Sequence, residues 1–486
     1  MIQYNEALMS KFIGRQTERN LLEDLLLKQT ASLVVVYGRR RIGKSRLIEE
    51  FAKPYRFISF SGLFSEEKTT NQDQLDEFRR RFQKQLGVDP GALSDWSDAF
   101  HRLAEQTRTG RVIILLDEIT WMGEQDANFL GKLKNAWDME FKKNDQLILS
   151  LCGSVSLWIE KNLISNRGFY GRISLKLRLR ELSLSDCNRF LEGRGGIVSD
   201  YEKFKILSVT GGIPKYLEEI RLDQSADENI KRLCFSRYGQ LYSDYDYIFL
   251  SLLARNSPCY QNIIQALSQN ALKREEILKK INFEDSGLLS QYLEELTSSG
   301  FLQRDYTWHL KSEKMSKLSK YRLSDNYLRF YSRYIQPNIA KIENDRYENH
   351  SMTALPGWPV IMGLQVENLV LNNRQKINGL IGVYPDEIIN DGPFFQNKTA
   401  RQKGCQIDYL IQTRFGVLYL CEIKFAFKGI RSNVITEVQE KIERLSLPKN
   451  FSIKPILIHV GDVYDEVLTS NYFSKIIDMS LLLHSS

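Results

Sequence analysis

The chain has 486 residues, 42% hydrophobic and 26% charged with only 11 prolines, which excludes a low-complexity or disordered protein and suggests several folded domains. A net charge of +7 permits nucleic-acid contact without requiring it, and residues 336–486, with 16 basic and 16 acidic side chains, contribute nothing to the excess. No apolar run approaches the roughly 18–20 residues that span a bilayer, residues 1–11 lack a signal-peptide layout, and six scattered cysteines form no C-x-x-C pair; a cytoplasmic protein without a membrane, zinc or disulfide framework is the expectation.

In chain order, leucines at helical spacing over 21–28 precede a β-branched strand at 32–37. The segment Gly38-Arg39-Arg40-Arg41-Ile42-Gly43-Lys44-Ser45 follows at once, and Arg46 continues into a helix. The spacing G-x-x-x-x-G-K-S between a strand and a helix is that of a phosphate-binding loop. Its glycines let successive backbone N–H groups face the phosphates, and the helix N-terminus adds partial positive charge. Residues 38–46 are therefore the candidate ATP-binding residues, with Lys44 on the β- and γ-phosphates and the Ser45 hydroxyl on magnesium.

Further strands are predicted at 56–60, 112–116 and 147–151, separated by helices, so the first segment is an α/β unit with a parallel sheet. The second of these ends in Asp117-Glu118. Buried carboxylates at a strand end need a cation or donors, so Asp117 is expected to hold magnesium through water and Glu118 to orient and deprotonate an attacking water. The third ends in Cys152-Gly153-Ser154, where Ser154 either senses the γ-phosphate or sits in a plain turn. Arg172, after Gly171, is read as an arginine finger in cis or in trans, or as a surface residue of a basic stretch.

From about 180 to 241 the pattern is helical, with Gly211-Gly212-Ile213-Pro214-Lys215-Tyr216 in it. Helices at 261–271, 275–281 and 288–299, then strands at 301–305 and 321–323, give the order of a winged helix. Leu288, Leu289, Tyr292, Leu293 and Leu296 form its core stripe, and the opposite face carries Glu294 and Glu295, which repel phosphate. Lys311, Lys314, Lys317, Lys320 and Arg322 could touch a nucleic-acid backbone, line a solvated loop, or belong to a joint between domains. A last α/β segment begins near 358, with a helix at 363–372 and a hairpin of 406–412 and 417–425 turning at Arg414-Phe415-Gly416.

That hairpin carries Asp408 and Glu422-Ile423-Lys424, with Glu367 on the helix before it. Strand alternation puts Glu422 and Lys424 on one face, and the tight turn brings Asp408 alongside. Asp408 and Glu422 would share a second magnesium or manganese, Lys424 would position the attacking water, and Glu367 would orient a metal-bound water. Lys398, Arg401, Lys403, Lys428 and Arg431 flank the site.

The whole pattern resembles the AAA+-related P-loop ATPases of the STAND class from archaea and bacteria that carry a winged helix and a C-terminal PD-(D/E)xK nuclease-like domain. The resemblance rests on Phe12-Ile13-Gly14-Arg15-Gln16-Thr17-Glu18, the tri-arginine loop, Asp117-Glu118, Cys152-Gly153-Ser154, the Gly-Gly-Ile-Pro segment, Tyr321-Arg322-Leu323-Ser324-Asp325 and the last hairpin. It departs in Gln406-Ile407-Asp408, where a Pro-Asp pair is usual, and in lacking an obvious second sensor arginine. It implies a P-loop core over 1–180, a helical lid over 181–245 with Ile213 and Pro214 near the base, a winged helix over 246–335 and a nuclease-like domain over 336–486. It also implies an ATP-driven switch, with DNA favoured over RNA as partner and a homo-oligomer formed on ATP binding. The rival reading is a regulatory ATPase whose last domain is an inactive nucleic-acid- or protein-binding module.

Overall fold

The computed structural model describes residues 12–64, 69–154, 156–195, 198–253, 257–284, 286–347, 351–400, 403–426 and 428–484. The opening stretch 1–11 and Arg401 lie outside them. The chain forms two compact units, the first ending at Glu181 with 248–253 and 298–300 joined to it, the second holding the rest. Among the described residues no helix is long and apolar enough to cross a membrane.

The first unit is built on five parallel strands, β1 (Ser32–Tyr37), β2 (Arg56–Ser61), β3 (Val112–Asp117), β4 (Ile148–Gly153) and β5 (Ile173–Arg178), in the order β2-β3-β4-β1-β5. Every residue of β1 is buried, as a strand covered on both faces requires. Alternation divides the apolar side chains between two cores. Val34, Val36, Ile113, Leu115 and Ile148 face Leu47, Ile48 and Phe51 of the helix Lys44–Ala52. Leu33, Val35, Ile114, Leu116 and Leu149 face a cluster of Phe78, Trp96, Phe100 and Phe129. Because β4 lies between β1 and β3, the phosphate loop, Ser154 and the Asp117-Glu118 pair all leave the same edge of the sheet.

Strand β5 was absent from the sequence expectations, where 172–180 read as a basic stretch. Its alternation of Ile173, Leu175 and Leu177 with Ser174, Lys176 and Arg178 is an edge strand with one face half-buried and charges on the other.

The second unit opens with the helices Leu184–Glu192, Asp200–Thr210 and Pro214–Glu218. Leu184, Cys187, Phe204, Leu207 and Leu217 share a core with Val366, Val370, Ile411, Ile423 and Ile458 of the last segment. Helices Ser257–Leu267, Arg274–Lys280 and Ser286–Ser298 come next, with the antiparallel ribbon of β6 (Leu302–Trp308) and β7 (Met315–Leu323). Lys311, Lys314 and Lys317 of the ribbon are exposed, while its paired residues are anchored. Trp308 packs edge-on against Phe394 and donates to Gln412 Oε1 at 2.7 Å, and Arg322 pairs with Asp305 at 2.8 Å. Lys320 lies over the Phe395 ring at 5.0 Å.

The last segment holds a mixed sheet, β8 (Ile388–Gln396), β9 (Cys405–Thr413), β10 (Val417–Phe425), β11 (Ser452–Val460) and β12 (Lys475–Asp478), in sequential order. Strands β8 to β10 run antiparallel, and β11 and β12 are added parallel. The helix Asn433–Arg444 connects β10 to β11 and covers Leu418, Leu420 and Leu457 through Val434 and Val438. The helix Trp358–Asn372 contributes Val366 and Val370 to the core containing Tyr409 and Ile423.

Candidate functional sites

The phosphate loop needs its glycines. Gly38 has φ +145°, and a Cβ there would lie 2.4 Å from the Leu179 carbonyl oxygen; Gly43 has φ +88°. Arg41 also adopts a left-handed backbone at φ +68°. The Lys44 ammonium donates to the Gly38 and Arg39 carbonyls at 3.1 Å each. Burial lowers its pKa, while Glu118, Cys152 and Asp117 oppose the shift. Arg39 stands 3.7 Å from Glu181, Arg46 stands 3.7 Å from Glu49, and Arg40 lies over the Trp121 ring at 5.8 Å.

Ser45 Oγ donates to Asp117 Oδ2 at 2.6 Å, so the hydroxyl and carboxylate suited to one magnesium already meet. Next to them, Glu118 has φ +46° and ψ +50°, a conformation that costs a non-glycine residue about 1–3 kcal/mol and tends to persist where function keeps it. It is held there by the Trp121 and Met122 N–H groups, which bond its carbonyl at 2.9 and 3.2 Å. Its own N–H donates to Asp117 Oδ1 at 3.0 Å, and Ser154 Oγ donates to Glu118 Oε2 at 3.0 Å. Burial raises the Glu118 pKa and the charge of Asp117 adds to it; Lys44 and Ser154 pull the other way. Lys44, Ser45, Asp117, Glu118 and Ser154 thus form one linked cluster.

Arg172 does not join it. Its guanidinium is bound by Asp138, with Nε at 2.9 Å from Oδ1 and Nη2 at 2.8 Å from Oδ2, and this pair holds the Asp138 carboxyl well below the usual range. A finger role would require that pair to open. Ile213 and Pro214 belong to the second unit, where Ile213 is buried and Pro214 begins its helix.

Arg15 has a place that the sequence motif did not reveal. At φ +60° and 7% exposed, it donates from Nη2 to Ile42 O at 3.2 Å and to Arg180 O at 2.5 Å. It therefore anchors the phosphate loop from behind. Its only signal was a Gly-Arg pair ahead of the loop.

In the second unit, a cleft of about 470 Å³ is lined by Glu367, Asp408, Glu422, Lys424, Glu437 and Lys441, among others. The register Cys421–Tyr409 sets Asp408 beside Glu422, and Asp408 Oδ2 accepts from the Ile423 N–H at 3.0 Å. Glu422 is 2% exposed. Burial and Asp408 raise its pKa, against Lys441 and Lys424. Lys424 Nζ stands 3.0 Å from Glu422 Oε1 and 2.7 Å from Glu437 Oε2. The Glu367 carboxyl is also pushed up, by burial first and by Asp408 second, while Arg329 and Arg322 oppose the shift. Among the described residues no three His, Cys, Asp or Glu side chains are grouped as a metal centre.

Lys441 was missed from the sequence. Its ammonium stands 2.5 Å from Glu422 Oε2 and 3.5 Å from Asp408 Oδ1. Burial would lower its pKa, but the two carboxylates outweigh that and raise it. The available signal was its position on the helix Asn433–Arg444, three residues after buried Val438 and seven after buried Val434, where an apolar residue is expected.

Residues 12–220 match a family described as an ATPase domain predominantly from Archaea. An uncharacterized protein of Methanocaldococcus jannaschii is 26% identical over 346 residues, 71% of this chain and 73% of that one. The Walker-type ATPase of Pyrococcus abyssi is similar in fold, with a TM-score of 0.51 and 20% identity over 66% of this chain and 96% of its own. An ORC2 protein of Aeropyrum pernix in ADPNP–ADP complexes aligns at a TM-score of 0.41 and 14% identity, over 71% of this chain and 98% of its own. Together with the phosphate-loop geometry, the segment match makes ATP hydrolysis the activity of the first unit.

Proposed function

We propose that this protein is an ATP-driven switch whose second unit carries a PD-(D/E)xK nuclease-like domain that acts on DNA. The observation that carries the reading is the convergence of Asp408, Glu422 and Lys424 on one cleft wall, with Glu367 lining the same cleft. Two hard-oxygen carboxylates beside a lysine are the side chains that metal-assisted phosphodiester hydrolysis uses. Both carboxylates already face a common cation, the Lys441 ammonium, which supports their fitness for a magnesium or manganese ion. Such an ion, when bound, would polarise a water and a phosphoryl oxygen. Lys424 would offset charge on the scissile phosphate and Glu367 would orient a water.

At the ATP site, residues 38–46 would cradle the phosphates, with Lys44 released from the Gly38 and Arg39 carbonyls to reach the β- and γ-phosphates. Ser45 and Asp117 would hold magnesium, which would offset phosphate charge. Glu118 would act as base, aligned by Ser154. The domain limits 1–180, 181–245, 246–335 and 336–486 belong to this reading, with the winged helix over 246–335. The docking of Trp308 and Arg322 within the second unit favours a joint over a backbone-gripping wing.

One observation favours a second reading, a binding module without nuclease activity: both oxygens of Glu422 are already taken by lysines. Incubating the purified chain with single- and double-stranded DNA and RNA, ATP and magnesium or manganese separates the two. The nuclease reading expects metal-dependent DNA cleavage that Lys424→Ala and Asp408→Asn each reduce by about 100-fold or more. Salt-sensitive DNA binding with no cleavage by the wild type leaves the binding module. Lys44→Ala and Glu118→Gln should both abolish ATP turnover, with only Glu118→Gln retaining ATP; normal turnover by Glu118→Gln would remove Glu118 from the mechanism.

A further inference from the structure

Every carboxylate oxygen of Asp408 and Glu422 in the cleft already has a partner. Asp408 Oδ2 is taken by the Ile423 N–H, Glu422 Oε1 by Lys424, and the remaining oxygens, Asp408 Oδ1 and Glu422 Oε2, by the single ammonium of Lys441. Lys441 is 24% exposed at the side chain, so it is a partly covered group with a path to the cleft, not a core residue. Its helix is fixed in the core by Val434 and Val438.

We infer that Lys441 is a built-in place-holder, a counter-cation that occupies the divalent-ion position between Asp408 and Glu422 and must be displaced before the site can load metal. The inference rests on the metal-binding reading of this cleft given above. Two carboxylates brought together on neighbouring inner strands would repel each other and resist burial unless a cation lies between them. Lys441 supplies that cation. A divalent ion held by Asp408 and Glu422 would take over that role, and the Lys441 ammonium would have to leave them. Metal binding and the Lys441 bridge are therefore mutually exclusive, and the wild-type affinity for metal is lowered by the strength of that bridge. Lys424 has a different place: it bonds the other oxygen of Glu422 and Glu437, and a metal need not evict it.

The test is manganese binding by the nucleotide-free full-length chain, measured by calorimetry and by the Mn²⁺ electron paramagnetic resonance signal, counting only the binding lost in Asp408→Asn. Lys441→Met should bind manganese about 10–100-fold more tightly than wild type, and Lys424→Met should change affinity by no more than about 3-fold. Without metal, Lys441→Met should melt lower than wild type, and manganese should raise its melting temperature more than that of wild type. Should Lys441→Met not fold, Lys441→Gln carries the same expectation in affinity and in manganese-induced stabilisation. Unchanged or weaker manganese binding in these variants overturns the place-holder role while leaving the metal reading of the cleft intact. Absence of any Asp408-dependent manganese binding in wild type and variants alike overturns both.

Discussion

At the scale of single residues, the ATP site is organised by backbone conformations that side chains alone do not announce. Glu118 occupies a left-handed conformation at the end of β3, and Gly62 packs so close to its turn that a Cβ would lie 2.8 Å from the Glu118 carbonyl oxygen. Burial and Asp117 raise the Glu118 pKa, and the Ser154 hydroxyl lowers it by stabilising the charged form. The base proposed above works only when deprotonated, so kcat/KM for ATP should fall as pH falls through that raised value. Removing the donor with Ser154→Ala should move this acid limb to still higher pH, because the charged form loses its hydrogen bond. A pH–rate profile of both proteins checks it; a limb that stays put, or moves down, would separate Ser154 from Glu118. The residue identities were legible in the sequence, since glycine loop and paired carboxylates have fixed spacing. Arg15 was not, because its partners Ile42 O and Arg180 O are backbone atoms far apart in the chain.

Among secondary-structure elements, the ribbon β6–β7 illustrates how tertiary packing reassigns a basic segment. Its lysines and arginine could serve a nucleic-acid backbone by charge alone. In the fold, Trp308 is 4% exposed against Phe394, its indole N–H donates to buried Gln412, and Arg322 is taken by Asp305. Trp308→Ala removes an aromatic anchor and leaves Gln412 without that donor, so the second unit should lose about 3–5 kcal/mol, read by chemical denaturation. A loss under about 1 kcal/mol would mean the ribbon is held elsewhere. Strands β5 and β8 escaped the sequence reading for related reasons. β5 is an edge strand with charges on its open face, and β8 contains Asn390, Asp391, Gly392 and Pro393, residue types that turns favour, yet β9 pairs with it through a bulged register.

On the scale of the whole molecule, the chain divides at Glu181 into a unit built on a parallel P-loop sheet and a unit built on a mixed sheet. A ligand stabilises the unit that binds it in proportion to its saturation. ATP with magnesium at about 100 times its dissociation constant should add about 2.7 kcal/mol and raise the melting of the first unit by about 5–10 °C. Scanning calorimetry checks this, with Lys44→Ala expected to show no shift. An equal rise in Lys44→Ala would place ATP outside the phosphate loop. The sequence by itself determined the strand–loop–helix of the ATP site, the Asp117-Glu118 pair, and the hairpin bearing Asp408, Glu422 and Lys424, because those depend on short-range spacing and strand alternation. Only the tertiary structure decided that Lys441 lies between the two carboxylates, that Arg172 belongs to Asp138, and that Trp308 of the ribbon is bound by Gln412. These contacts join residues from 19 to 104 positions apart in sequence, wherever burial makes an unpaired charge or polar atom too costly to leave alone.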